Sequence, residues 1–517
     1  MMRSTGPRTR VNARTTRSGL AALAALALLL LAGGARADGV AGLIGLLQPG
    51  SRPQLGLGGD PFLSPLADGS GWWTAADLAL PPGTRVGYGL SAPLPAAGSL
   101  DSRALEMVST GALRLRGREL KLAGLAGTRS ESGQFSGSSG EVSLSGQGAR
   151  LDGAARLTGL VPGTTLQGIA PLWSEGGGAL HSTTGLGLRV APARALSAQT
   201  HWARVRAPEQ FSSDLFGEPV AASLNLFAEQ WQTDVRIAPL SRLAFEGTWA
   251  RSDFSPTAPR SYAFDYQLQP RGRANVSQAS AEWRATPSNR ALVRWSESWL
   301  DAGGDALWGG QRFGQLNYAR AASRAWLLGL EHTSRTSRVF ADAEVVSANG
   351  SARGSVESWP FTSVTVALLG LRGIATAQAT ADWWRLHVAG EHTVRGTLRA
   401  SGGLSWYDAN ASGTLVTWRP TFLVFGQSDL QSSALPWRRA QLGLAALGLH
   451  WGMRLLSGSL EIQQPVFAKV FTIAGSGASG GGVGSAPGAA GASSLGSPAR
   501  VSRTAATQIR ISIERRM

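Results

Sequence analysis

Hydrophobic and polar residues alternate along much of this chain. From Val394 to Trp406 one face carries Val394, Gly396, Leu398, Ala400, Gly402, Leu404 and Trp406. The other carries Arg395, Thr397, Arg399, Ser401, Gly403 and Ser405. A strand sends successive side chains to opposite faces, so this period of two predicts one strand with an apolar and a polar face. The same period runs through 243–249, 279–285, 291–299, 326–330, 339–345, 364–368 and 375–382. Turns are expected at Thr286-Pro287-Ser288-Asn289, where proline has its favoured place, and at Ala321 to Arg324, Tyr407 to Asn410 and Ser457-Gly458. The last strand is expected over Thr504 to Glu514, with Thr507, Ile509, Ile511 and Ile513 sharing a face.

Strands of ordinary globular proteins run about 5–6 residues, well short of the opening stretch. The many Ala and Gly on the apolar faces would make a thin soluble core, and no blade repeat of fixed period marks a propeller. The pattern predicts an all-β fold: an antiparallel transmembrane β-barrel of roughly 16–22 strands, with short periplasmic turns and longer outer loops. Ending on an alternating strand, the chain resembles bacterial outer-membrane β-barrel proteins, in which the C-terminal strand closes the barrel and is read by the insertion machinery. That class usually ends on an aromatic residue, whereas this chain ends Arg516-Met517. The resemblance covers roughly residues 200–517. It implies a bacterial outer-membrane location, with outer-membrane lipids and the barrel-insertion machinery as partners. A homo-oligomer is compatible with it, because trimeric and monomeric barrels give the same pattern.

Composition changes this picture at the ends. Residues 1–37 read as a signal peptide: Arg3, Arg8, Arg10, Arg14 and Arg17 precede an apolar run from Gly19 to Ala32, and Ala35-Arg36-Ala37 offers small residues for cleavage before Asp38. That run is shorter than the ~20 residues of a spanning helix. Residues 38–205 are a Gly/Ser-rich β region, read as early barrel strands, a plug or a small solenoid. Residues 206–517 are the C-terminal barrel, with a low-complexity Gly/Ala/Ser loop over 474–500. The chain holds 0 Cys, so disulfides and cysteine metal sites are excluded. It carries +16, of which six charges are arginines of the first 37 residues. An exported chain whose arginines are scattered along strands gives no basic patch for nucleic acid, so no nucleic-acid partner is expected.

The candidate chemistry is that of a wall. Arg284, Arg294, Arg395, Arg399 and Arg510 fall on polar faces. Turned to a lumen they would favour small anionic solutes; alternatively they pair with Glu282, Glu297 and Glu514 inside a filled barrel. Trp295, Trp299, Trp406 and Trp418 fit an aromatic girdle at the membrane boundary. The six histidines do not assemble a metal site, and no cofactor, metal or catalytic residue is expected. Gly475 to Gly481 matches dinucleotide and nucleophile-elbow patterns by chance composition alone. Glu331-His332 and Glu391-His392 are placed at outer strand ends, where a hydrolase would use them. The function expected is a porin-like barrel passing small polar or anionic solutes. The alternatives are an autotransporter-like translocator with a short passenger, or a non-porous structural barrel.

Overall fold

The computed structural model describes the backbone of residues 83–516 apart from 94–98, 116–117, 138–139, 178–181, 194, 216–217, 257–265, 309–310, 358–371, 421–427, 435–436, 454–455, 473–498 and 501–507. The signal segment, the region 38–82 with Trp72-Trp73, the strand expected at Val364 to Leu368 and the motifs at 475–481 lie outside the described residues.

Twenty strands form one sheet. They are β1 (Gly83–Pro93), β2 (Ser99–Leu115), β3 (Arg118–Gly137), β4 (Gly140–Thr158), β5 (Thr164–Gly177), β6 (Ser182–Ala193) and β7 (Leu196–Leu215). Then come β8 (Glu218–Leu240), β9 (Leu243–Pro256), β10 (Tyr266–Thr286), β11 (Asn289–Trp308), β12 (Gln311–Thr333) and β13 (Ser337–Glu357). The rest are β14 (Arg372–Arg395), β15 (Leu398–Pro420), β16 (Ser428–Ala434), β17 (Trp437–Gly452), β18 (Leu456–Thr472), β19 (Ala499–Arg500) and β20 (Gln508–Arg516).

Apart from β16 with β17 and β19 with β20, consecutive strands pair antiparallel, and β1 pairs with β20 from Arg85↔Arg516 to Pro93↔Gln508. The pairing therefore returns to its starting strand. β16 and β17 both lie along β15, one beyond the other, and β19 and β20 lie likewise along β18. Counted around the ring there are eighteen staves. A division of the sequence at residue 205 falls inside β7, and β1 to β6 belong to the same ring.

At one end every connection is short. Residues 159–163, 241–242, 287–288, 334–336, 396–397 and 453–455 each join two strands there, and β20 ends there too, beside Leu456. Backbone bonds stitch this rim together. Ala238 N donates to Ala195 O (2.7 Å), Arg284 N to Arg242 O (2.8 Å), Thr333 N to Ser288 O (2.7 Å) and Thr393 N to Thr336 O (2.8 Å). Short turns and both ends of the sheet at one rim are the periplasmic geometry of bacterial barrels.

The turn at Thr286 to Asn289 is where the sequence places it, with Thr286 Oγ1 accepting from Asn289 N at 3.1 Å. Other expectations are corrected. Val394 to Trp406 is not one strand: Gly396, at φ 56°, turns the chain between β14 and β15. Residues 321–324 and 407–410 are mid-strand in β12 and β15. Ser457-Gly458 lies in β18, just after the connection. The last strand is described over Gln508–Arg516, and the part expected at 504–507 lies outside the described residues.

The wall is inverted relative to a soluble protein. Leu328, Leu330, Val339, Val345, Trp384, Leu386, Val388, Leu404, Leu447, Leu449 and Ile513 are exposed large apolar residues. Gln199, His201, Gln230, Asp234, Glu331, Asp342, His387, Ser401 and Glu461 are buried. Alternation thus places most large apolar residues outward and sets polar residues on the inner wall, where Leu292, Leu327, Phe340 and Ala389 form a small buried apolar cluster among them. On the outer face the apolar band has polar limits. At the short-turn end these are His332–Asn289 (2.8 Å) and Ser337–His392 (2.6 Å). At the other they are Arg324–Glu297 (3.0 Å), Arg204–Glu229 (2.6 Å) and Arg439–Asp408 (2.6 Å). Between Ser337 and Ser347 lie ten residue steps. At ~3.3 Å per residue and a tilt of about 40° they span about 25 Å, the height of an outer-membrane apolar band.

Beyond that level the strands continue as a collar and the polarity reverses. Outward positions become charged, as in Arg273–Asp253 (2.7 Å) and Arg320–Asp301 (3.6 Å). Inward positions become apolar, and Phe254, Ala274, Leu300, Ala302, Leu316, Ala319, Ala352 and Ala375 form one buried cluster.

Candidate pore wall and its charge network

Each inner-wall side chain is set by strand parity and register. On β11 the even residues Arg290, Leu292 and Arg294 share the inner face, and on β12 the odd residues Leu327 and Glu331 do. Register sets Arg290 against Glu331, and Arg338 of β13 reaches the same carboxylate, so two guanidiniums clamp one carboxylate. The Glu331 side chain is 1% exposed. Arg290 also lies 3.6 Å from Glu282. Further round, Arg385 donates to Asp342 Oδ1 (2.7 Å) and His387 Nδ1 lies 2.8 Å from Oδ2, with the Phe340 ring edge-on to the imidazole. Between β8 and β9, Arg236 pairs with Glu246 at 3.0 Å. Gln199, Gln232 and Thr248 donate to Asp234. Buried charge on this wall is therefore met by opposite charge or by hydrogen bonds, as burial requires.

The arginines read from sequence distribute as follows. Arg284 is on the inner wall, half-exposed, with Glu282 at 2.9 Å. Arg399 is on the inner wall, 57% exposed, with Glu391 at 3.8 Å. Arg294 is inward, opposite Leu327 and Ser280. Arg395 ends β14 at the rim beside the turn, opposite Leu398, and is exposed. Arg510 occupies the β20 position opposite Glu461 and Ser91. Of the proposed partners, Glu282 does pair with Arg284, but Glu297 faces outward to Arg324, because it lies on the odd face of β11 with Trp295 and Trp299.

Trp295, Trp299 and Trp406 lie on the outer face. Trp299 and Trp406 are about two-fifths exposed, and Trp406 packs against Phe467 with ring centroids 4.5 Å apart and planes tilted by 52°. Trp418 is opposite Ile374 and Leu430 in the ladder. Sequence reading missed Trp202, Trp231, Trp326 and Trp384, which lie on the same outer face. Trp202 and Trp231 form a cross-strand pair at 6.4 Å, with Arg204 over the Trp202 ring. The signal available was Trp on the apolar parity next to an outward Arg or Glu.

Glu331-His332 and Glu391-His392 are at the short-turn end, not at outer strand ends, because the chain turns at 334–336 and 396–397 rather than at 321–324 and 407–410. His332 and His392 point outward while Glu331 and Glu391 point inward, so neither pair forms one site. Among the described residues no three metal-ligating side chains converge.

No family model and no curated protein matches the chain. Among solved structures it is similar to the copper transporter OprC (TM-score 0.31, 9% identity, 84% of this chain and 80% of that one). It is similar also to a mutant of the ferric enterobactin receptor PfeA of Pseudomonas aeruginosa (0.36, 10%, 84% and 81%). OmpT, an outer membrane protein of Vibrio cholerae, is a third (0.29, 9%, 74% and 99%). Similarity at this level carries no argument about function. The closed antiparallel ring, the outward apolar band and the rim of short turns give this chain the architecture of a bacterial outer-membrane β-barrel.

Proposed function

We propose that the protein is an outer-membrane pore that passes small polar solutes and favours anions. The observation that carries this reading is the eighteen-stave ring with a polar inner wall. Strands about 4.8 Å apart and tilted about 40° close eighteen staves at a backbone radius of about 18 Å. Inward side chains cannot fill that width, and barrels of 16–18 strands leave an aqueous channel. Arg284 and Arg399 keep 47% and 57% of their side-chain surface exposed on the inner wall, which supports water beside them and a positive bias along the path. Most of the other wall charges are paired, so the bias is modest. Export by cleavage before Asp38 and insertion by the barrel machinery belong to the same reading, and no catalytic step does.

The test is conductance. Purified protein, shown folded by a boiled-against-unboiled mobility shift, is added to planar bilayers. Stepwise currents with a reversal potential displaced toward chloride in a potassium chloride gradient are expected. A folded barrel that gives no steps overturns the pore and leaves a structural barrel.

A further inference from the structure

At the short-turn rim three neighbouring hairpins border a half-open pocket of about 280 Å³. Its lining includes Arg236, Arg242 and Arg284, with Glu282 as the one acid, and Ala238, Leu240 and Leu243 among its apolar residues. Arg236 is engaged by Glu246 (3.0 Å) and Arg284 by Glu282 (2.9 Å). Arg242 makes no ion pair among the described residues, and it is exposed. The cavity therefore holds one positive charge beyond its pairs. Its frame is fixed, because the Arg242 carbonyl accepts from Arg284 N and the Ala195 carbonyl from Ala238 N. Planar guanidiniums with several donors suit a tetrahedral or carboxylate oxyanion better than a halide. The volume lies at the lower end of small-ligand pockets.

We infer that this cavity is an oxyanion-binding station at the inner mouth of the barrel, taking a phosphate or the phosphate group of a small solute. Arg242 and Arg284 bind the anion, and Glu282 holds Arg284 in position. The inference rests on the pore reading for its place on a solute path, and binding can be measured apart from conduction.

The full chain, folded in detergent, is titrated with inorganic phosphate by calorimetry. Arg242→Ala is expected to weaken binding about tenfold, Arg242→Lys to restore part of it, and Arg320→Ala in the collar to leave it unchanged. The unboiled gel position reports that each variant is folded. Absence of binding to the wild-type chain, or equal binding by wild type and Arg242→Ala, overturns the site. In bilayers, phosphate on the short-turn side is expected to reduce the chloride current, with a half-blocking concentration about tenfold higher in Arg242→Ala. A chain that binds phosphate in an Arg242-dependent way but conducts no current keeps the site and loses the pore. A chain that conducts with no Arg242-dependent binding keeps the pore and loses the site.

Discussion

Ala343 is the position at which the membrane reading is most exposed to test. It faces outward between Leu328 and Leu386 in the ladder. It stands six residues above Ser337, about 15 Å into a band about 25 Å high at ~3.3 Å per residue and a tilt near 40°. An arginine there must keep its charge near the middle of the hydrocarbon, which costs about 2–4 kcal/mol in barrels of this kind. Asn349 faces outward on the same strand, two residues beyond the polar limit at Ser347, and Asn349→Arg should cost about 0–1 kcal/mol. The comparison cancels strand propensity, since one strand hosts both changes. The assay is urea unfolding in phosphatidylcholine vesicles, followed by tryptophan emission. A difference of about 2 kcal/mol or more between Ala343→Arg and Asn349→Arg is expected. Equal costs, or a larger cost at Asn349, would refute the placement of the bilayer between Ser337 and Ser347.

Glu331→Ala should destabilise the folded barrel by about 3 kcal/mol, because it leaves Arg290 and Arg338 facing each other on the inner wall; the same urea titration reads it, and a loss under 0.5 kcal/mol contradicts the clamp. Gly443→Val should cost about 1–3 kcal/mol by overpacking: the Phe467 ring already lies where a Cβ at Gly443 would sit, and a neutral result would mean that the ring is free to leave. Deleting Gln508 to Arg516 should abolish the heat-dependent gel shift, since it opens the edges of both β1 and β18; a retained shift would show that the ring closes without β20.

Parity along each strand was legible in the sequence, while several turns were not. The β14–β15 hairpin shows why. Val388 opposes Leu404 and Leu386 opposes Trp406, pairs whose numbers add to an even sum. Outward parity is then the same on both strands, and the alternation passes through Gly396 and Thr397 without a break. Where the sum is odd, as for Leu328↔Ala343, parity flips and the turn can be seen. The turns expected at 321–324 and 407–410 have a different origin. Arg324 and Asp408 are outward residues at the level where the strands leave the apolar band. A wall that turns polar outside and apolar inside reads locally like the end of a strand. The inner-wall arginines Arg284 and Arg399 were legible from parity, but their partners were not, because register decides which carboxylate each one meets. The cavity at Arg242 joins three hairpins and has no signature in any one of them.

The stitched rim and the pairing of β1 with β20 have a topological consequence. The described chain enters and leaves the sheet on adjacent staves at the same end, so the ring has no privileged first strand. Joining Arg516 to Gly83 by a short linker and cutting the chain at a far-end connection, such as 138–139 or 309–310, would alter no strand pair. A family of circular permutants should therefore share one folded ladder while differing in which strand leaves the ribosome last.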